Sequence, residues 1–278
     1  MPLPTGFLAH QAAADLVDWF EGLDSVLVAY SGGVDSAVVA KAAHLAMGNR
    51  ALAVTADSPS LARAELASAK ELVDRIGIRH QVIRTQEVQD LRYQQNDSQR
   101  CYFCKSHLFS SMKQLLLERF PNAQIVTGTN QDDLADFRPG LRAANEAMVR
   151  TPLADLGLGK SHVRAIAHFW NLPVAEKPAS PCLASRIAYG VEVTPKRLAM
   201  VEQAEEAIRS LGLSEFRVRL HAGEVARIEV PTDQLELFLG SATRQRITQQ
   251  LHVIGFRFVT LDLDGFRSGS LNQLVHIQ

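Results

Sequence analysis

The chain has 278 residues, enough for one large domain or two smaller ones, and 46% of them are apolar, enough for a sizeable core. That composition excludes a disordered tail, a collagen-like fibre and a disulfide knot. Lys plus Arg is 29 against 30 for Asp plus Glu, and neither half is strongly basic, so a module that lives on nucleic-acid phosphates is not expected.

The first cationic side chain is Lys41, which speaks against a secretory or transit segment, and the longest apolar run, Val26 to Tyr30, is too short to span a bilayer. A cytoplasmic protein without membrane contact is expected. Ser25 to Tyr30 reads as a buried strand that stops at Ser31-Gly-Gly-Val-Asp-Ser36, and Ala37 to Ala46 then follows helical spacing. Ala51 to Ala56 is a second strand, followed by a helix from near Ser60 to Ile76 and a short strand at His80 to Arg84. Lys105 to Phe120 is helical, Gln124 to Gly128 is a fourth strand, and Leu158 to Trp170 is one more helix. Strands alternating with helices predict an α/β fold, a doubly wound parallel sheet covered on both faces.

Between Pro173 and Pro195 the pattern breaks into Pro, Ser, Ala and Gly, the expected junction between a domain over 1–185 and a smaller one over 186–278. Beyond it come a helix from Pro195 to Leu211, strands at Phe216–Leu220 and Val225–Val230, helical residues from Asp233 to about Leu251, and a strand at Phe256–Asp262. This order suits an α+β domain.

Ser31 to Ser36 joins a strand to a helix. Gly32 and Gly33 let the backbone turn sharply and bring its N–H groups against a ligand, the helix N-terminus adds partial positive charge, and Ser31 and Ser36 supply hydroxyls. The segment lacks the Gly-Lys-Ser/Thr ending of a Walker loop and the Gly-x-Gly-x-x-Gly of a dinucleotide fingerprint. Instead it resembles the loop of the PP-loop ATPases, which holds the pyrophosphate of ATP while the α-phosphate is attacked; Asp35 lies within it. Gly128-Thr-Asn-Gln-Asp-Asp133 closes the fourth strand at the same carboxyl edge, where doubly wound folds bind ligands. Asp132 and Asp133 offer hard oxygen donors for Mg²⁺, while Asn130 and Asp132 equally suit N-caps of the next helix. Ala56 and Asp57, ending the second strand, are candidates to face the adenosine.

Cys101-Tyr-Phe-Cys104 is followed by His107, and Cys182 lies in the loop from Lys177 to Arg186. Three thiolates fit a 4Fe–4S cluster with one iron open; with His107 they make a zinc set, although gathering Cys101, Cys104 and His107 requires a broken helical turn. A redox pair and inert buried thiols are the remaining readings.

Gly128-Thr-Asn-Gln-Asp-Asp-Leu134, Phe137-Arg-Pro-Gly140, Pro181-Cys-Leu-Ala-Ser-Arg-Ile187 and Phe216-Arg-Val-Arg219 through Ala226-Arg-Ile-Glu229 resemble the LarE sulfur transferases of nickel-pincer nucleotide biosynthesis, which serve lactate racemase and related enzymes. The resemblance covers nearly the whole chain. It implies ATP with Mg²⁺, AMP and pyrophosphate as products, and a pyridinium-3,5-biscarboxylate mononucleotide whose carboxylate becomes a thiocarboxylate. In single-cysteine members a cysteine in the position of Cys182 gives up its own sulfur. With Cys101 and Cys104 added, this sequence is similar to the three-cysteine subgroup, whose 4Fe–4S cluster is thought to carry an extra labile sulfide. The resemblance then implies an external sulfur donor and places Cys182 and Asp35 at the chemistry. Arg217 and Arg219, two apart on one strand, with Arg186 after the cysteine loop, are candidates for the acceptor's phosphate; Glu229 is a substrate-side candidate, and Lys177 one for stabilising phosphate charge. A homo-oligomer is expected. Rival readings are a tRNA-thiolating PP-loop enzyme, disfavoured by the near-neutral charge, an ammonia-using synthetase, which has no need of the cysteines, and a nucleotide or metal sensor without turnover.

Overall fold

A computed structural model describes residues 5–135 and 139–267. The first part of the chain contains α1 (Thr5–Asp18), β1 (Ser25–Ala29), α2 (Val34–Met47), β2 (Ala51–Asp57), α3 (Arg63–Ile76) and β3 (Arg79–Arg84). Next come α4 (Leu91–Gln94), α5 (Arg100–Arg119), β4 (Ala123–Thr127), α6 (Pro139–Glu146), α7 (Pro152–Asp155) and α8 (Lys160–Phe169). The last part contains α9 (Pro195–Arg209), β5 (Arg217–His221), β6 (Val225–Glu229), α10 (Glu236–Leu239), α11 (Ser241–Ile254) and β7 (Phe258–Leu261). Phe137 and Arg138, from the Phe137–Gly140 motif, lie outside the described residues.

The chain forms two compact units. The first comprises residues up to Ser58, then Arg63–Glu87 and Cys101–Ser180; the second comprises Pro59–Ala62, Val88–Arg100 and the chain from Pro181 onward. In the first unit the strands lie in the order β3-β2-β1-β4, all parallel, so the expected doubly wound sheet is present. Side chains alternate along a strand, and β1 shows the consequence. Val26 and Val28 join a core with α1, α2, α3 and α8, whereas Leu27 faces the opposite core with Phe109 and Met112 of α5. Helix α2 is buried on almost every side, and its alanines let it lie close beneath the strands. Strand order reverses between β1 and β4, and the carboxyl ends of these two strands form the switch point where such folds bind ligands.

The second unit carries a three-stranded sheet, β5-β6-β7, antiparallel between β5 and β6 and parallel between β6 and β7. The helical run expected from Asp233 to Leu251 is interrupted: Gly240, with extended ψ of 130°, separates α10 from α11. Segment 88–100 belongs with this unit because Asn96 ties it there. Asn96 is fully buried with φ +56°, a conformation Asn tolerates well, and its amide donates to the carbonyls of Ile187, Ala188 and Val191.

Candidate active site

The first unit builds its site mainly from backbone. Gly32 has φ +75°, and a Cβ there would sit 2.8 Å from that of Ala69, so only glycine fits. Gly33 is different: its φ is −82°, and the nearest atom to an added Cβ is Ser31 Oγ at 3.5 Å, so its own chain leaves room for a methyl. Gly128, after β4, approaches so closely that a Cβ would lie 2.6 Å from Ser36 N. Ser36 Oγ donates to the Gly33 carbonyl at 3.0 Å and accepts from Ser31 N at 3.2 Å, closing the turn on itself.

Helix α2 starts at Val34 with Gly33 in the capping position and no side-chain cap. The first N–H groups of a helix have no intrahelical partner, so this end presents donors and partial positive charge. Helix α8 differs. It too follows a glycine, Gly159, but the Asp132 carboxylate accepts from Lys160 N at 2.7 Å and caps it from a distant part of the chain. Asp132 therefore caps α8 rather than the turn that follows β4. That turn is capped by Asn130, whose side chain accepts from the N–H groups of Asp132 and Asp133 while Asp133 accepts from Asn130 N.

Asp35, half-buried in the first turn of α2, has both oxygens engaged. Asn130 Nδ2 donates to Oδ1 at 3.1 Å, and Lys160 Nζ donates to Oδ2 at 2.6 Å. Lys160 does not stand out in the sequence. The one signal is its position: a cation at the first residue of a helix opposes the helix dipole and asks for a compensating reason. Ala56 and Asp57 end β2 at the same carboxyl edge, with Asp57 held by Arg63 at 2.6 Å.

Cys101 and Cys104 occupy the first two turns of α5, which begins at Arg100 rather than Lys105 and runs unbroken through His107. Positions three apart share a helix face, so the two thiols are neighbours there, but an unbroken turn does not bring His107 round to join them. Cys101 is exposed and Cys104 half-buried; Cys182, in the second unit, is exposed, and none of the three is in a disulfide. Among the described residues no three His, Cys, Asp or Glu side chains are gathered at metal-binding distance.

The second unit builds a different site, from buried ion pairs. Arg186 is buried and donates to Glu205 at 3.0 Å and to the carbonyls of Pro181 and Cys182. Arg219 is buried against Glu229, donating to Oε2 at 3.0 Å, and Arg227 donates to the other oxygen at 2.8 Å. Glu229 has no exposed surface, so it holds two guanidinium groups in place and is not an exposed acid. Arg217 differs from its neighbours: among the described residues no carboxylate lies within ion-pair distance of it, and its guanidinium lies over the Phe266 ring, 5.1 Å from the centroid. Burial, and then the Arg186 charge, push its pKa below the ordinary arginine value. With Arg186 paired to Glu205 and Arg219 to Glu229, Arg217 is the one of the three with charge left to offer an anion.

The profile of the NAD synthase family matches residues 17–134, the stretch that carries β1 to β4 and the Ser31–Ser36 turn. A protein from Lactiplantibacillus plantarum, named pyridinium-3,5-bisthiocarboxylic acid mononucleotide synthase, is 36% identical over 93% of this chain and 93% of its own. The chain belongs to this LarE family. An uncharacterised Synechocystis protein is 43% identical over 94% of this chain and 97% of its own, and one from Methanocaldococcus jannaschii is 28% identical over 87% and 91%. Membership of the LarE family makes the protein an ATP-dependent enzyme of the PP-loop class, and at family level the chemistry is sulfur transfer to a pyridinium mononucleotide. No helix among the described residues is long and apolar enough to cross a membrane.

Proposed function

We propose that the protein activates a carboxylate of pyridinium-3,5-biscarboxylate mononucleotide with ATP and converts it to a thiocarboxylate. A carboxylate is a poor electrophile because its leaving group would be oxide. Attack of the carboxylate oxygen on the α-phosphorus of ATP expels pyrophosphate and forms a mixed anhydride. A sulfur nucleophile then adds to the carbonyl, the C–O bond to phosphate breaks, and AMP leaves.

The observation that carries this reading is the uncapped N-terminus of α2, set at the switch point and closed against Gly128. Its donors, with Ser31, Gly32, Gly33 and Ser36, suit the pyrophosphate that must be held as it leaves. Lys160, paired with Asp35, supplies a cation beside them, and Asp132 is the hard oxygen donor that would hold Mg²⁺ to neutralise phosphate charge. Ala56, Gly128 and Asn130 line the ends of β2 and β4, where the nucleoside is expected. Arg217 binds the acceptor's phosphate, with Arg186, Arg219 and Glu229 fixing the buried scaffold around it.

Cys101, Cys104 and Cys182 have the donor chemistry for a 4Fe–4S cluster, three thiols with one iron position left over, and none is sequestered in a disulfide. Such a cluster, when bound, would supply sulfide that is not part of the polypeptide. An external donor would then renew the sulfur, in keeping with a cytoplasmic, thiol-reducing setting.

The test is anaerobic turnover with the biscarboxylate mononucleotide, ATP and sulfide, followed by intact-chain mass. The expected result is pyrophosphate, AMP and thiolated product with the chain mass unchanged. Conversion of Cys182 to dehydroalanine, a chain lighter by the elements of H₂S, establishes sacrificial transfer instead. Absence of acceptor-dependent pyrophosphate overturns the activation step.

A further inference from the structure

Glu65 stands in the first turn of α3 and has both carboxylate oxygens occupied by the segment that leads to Cys182. Lys177 Nζ donates to Oε2 at 2.6 Å and Ser180 Oγ donates to Oε1 at 3.0 Å. An acid in a first turn is favoured by the helix dipole alone, but that explanation needs neither partner. The segment itself has no regular secondary structure and depends on side chains. Arg164, from α8, donates to the carbonyls of Ala175 at 2.5 Å and Lys177 at 3.4 Å, while Glu65 holds Lys177 and Ser180.

Both Lys177 and Glu65 are about three-quarters buried, with side-chain exposures of 24% and 27%, so the pair is shielded from full solvent screening. Beyond the cysteine, Leu183 N donates to the carbonyl of Ser60 at 2.9 Å. Ser60 and Glu65 flank the junction between β2 and α3, so residues on either side of Cys182 in the sequence are each held by this short stretch of chain. The same stretch follows Ala56 and Asp57.

We infer that Glu65 is a positioning residue: its ion pair with Lys177 and its hydrogen bond from Ser180 latch the Cys182 loop for the sulfur-transfer step. The latch is a property of the chain itself, while its role in sulfur transfer rests on the function proposed above. The geometry also makes the effect specific. Glu65 is not among the groups of the Ser31–Ser36 turn, so losing the latch leaves the nucleotide step intact and slows only the step that needs the loop in place.

The experiment uses the full chain and three variants: Glu65→Gln, Lys177→Met, and the reversed pair Glu65→Lys with Lys177→Glu. Amide hydrogen exchange over 176–185 is expected to be about fivefold faster in each single variant, with α2 and β1 unchanged, as local opening of a latched segment requires. The reversed pair restores slow exchange, since an ammonium at position 65 can donate both to a carboxylate at position 177 and to the Ser180 hydroxyl. In turnover, kcat for thiolated product falls about tenfold in Glu65→Gln while KM for ATP and the single-turnover pyrophosphate burst stay at wild-type values. Unchanged exchange in the folded single variants overturns the latch. A pyrophosphate burst that falls along with kcat overturns the positioning role and moves Glu65 to the nucleotide step. If wild-type protein forms no pyrophosphate, the proposed function fails, and the exchange result still decides whether the latch exists.

Discussion

The two candidate sites handle negative charge by opposite means. At the switch point the chain removes side chains: Gly32, Gly33 and Gly128 expose backbone donors, and the principal charges are one acid, Asp35, and one base, Lys160, facing each other. In the second unit the chain crowds charges together: Arg186 on Glu205, Arg219 and Arg227 on Glu229, with Arg217 left over. A cradle made of backbone cannot be weakened by truncating a side chain, only blocked by adding one. A scaffold of ion pairs responds in the opposite way, because removing one partner strands the other in a poorly solvated place.

Glu229→Ala should therefore produce the largest loss of stability. Two guanidinium groups lose their shared buried partner, and destabilisation of about 3–5 kcal/mol is expected in denaturant titrations. A loss near that of an exposed pair would put Glu229 in the same class as a surface acid. Gly128→Ala comes next. Its Cβ meets the backbone of α2, so we expect about 1–3 kcal/mol of lost stability from overpacking. Pyrophosphate formation should fall about 100-fold as the turn is displaced. Gly33→Ala serves as its control, because the chain itself leaves space there; thermal stability should barely change.

Arg217→Ala sharpens the comparison within the second unit. With no buried partner to strand, it should leave stability nearly intact and raise the acceptor KM about tenfold, roughly 1.4 kcal/mol of binding, with KM for ATP unmoved. Arg219→Ala should do the reverse, costing stability first. A result in which both behave alike would remove the distinction between scaffold and ligand.

The smallest effect concerns pH. Burial, and then the Lys70 charge, lower the pKa of His80, which is hydrogen-bonded to Thr55 at 2.9 Å; burial and then Arg227 lower that of His221. The unfolded chain therefore takes up protons that the folded chain resists. The stability from both histidines is complete above their ordinary value of 6.5 and is lost as pH falls from there through the lowered folded values. His80→Gln should flatten part of that acid-side decline in melting temperature. A slope identical to wild type would show that His80 protonates equally in both states.

The same contrast governs what is legible in the sequence. The four parallel strands, the Ser31–Ser36 turn and the Gly128 turn are contiguous, and their residue types report local backbone needs. Asp35 with Lys160 is a pair 125 residues apart, and Lys177 with Glu65 one 112 apart, so no local pattern announces either. The sequence suggests a start at Lys105 for α5, whereas Arg100 to Cys104 already form ordinary helix. The arginines of β5 are recognisable as a group, but which are neutralised is decided by Glu205 and Glu229 on other elements.

The second unit is assembled from three lengths of chain, 59–62, 88–100 and the portion from 181 onward. During synthesis the first two lengths leave the ribosome before β4, α6 and α8 do. Asn96 must then wait, its amide without the carbonyls of Ile187, Ala188 and Val191 that it will eventually hold. A fragment beginning at 181 would lack Asn96 altogether, and one ending at 180 would carry it without the three carbonyls that its amide holds. Such long-range closure slows folding and lengthens the exposure of partly folded chain. Neither half is a separable part, and a fusion or a proteolytic cut at the obvious Pro-rich junction should yield two pieces that do not fold as the intact chain does.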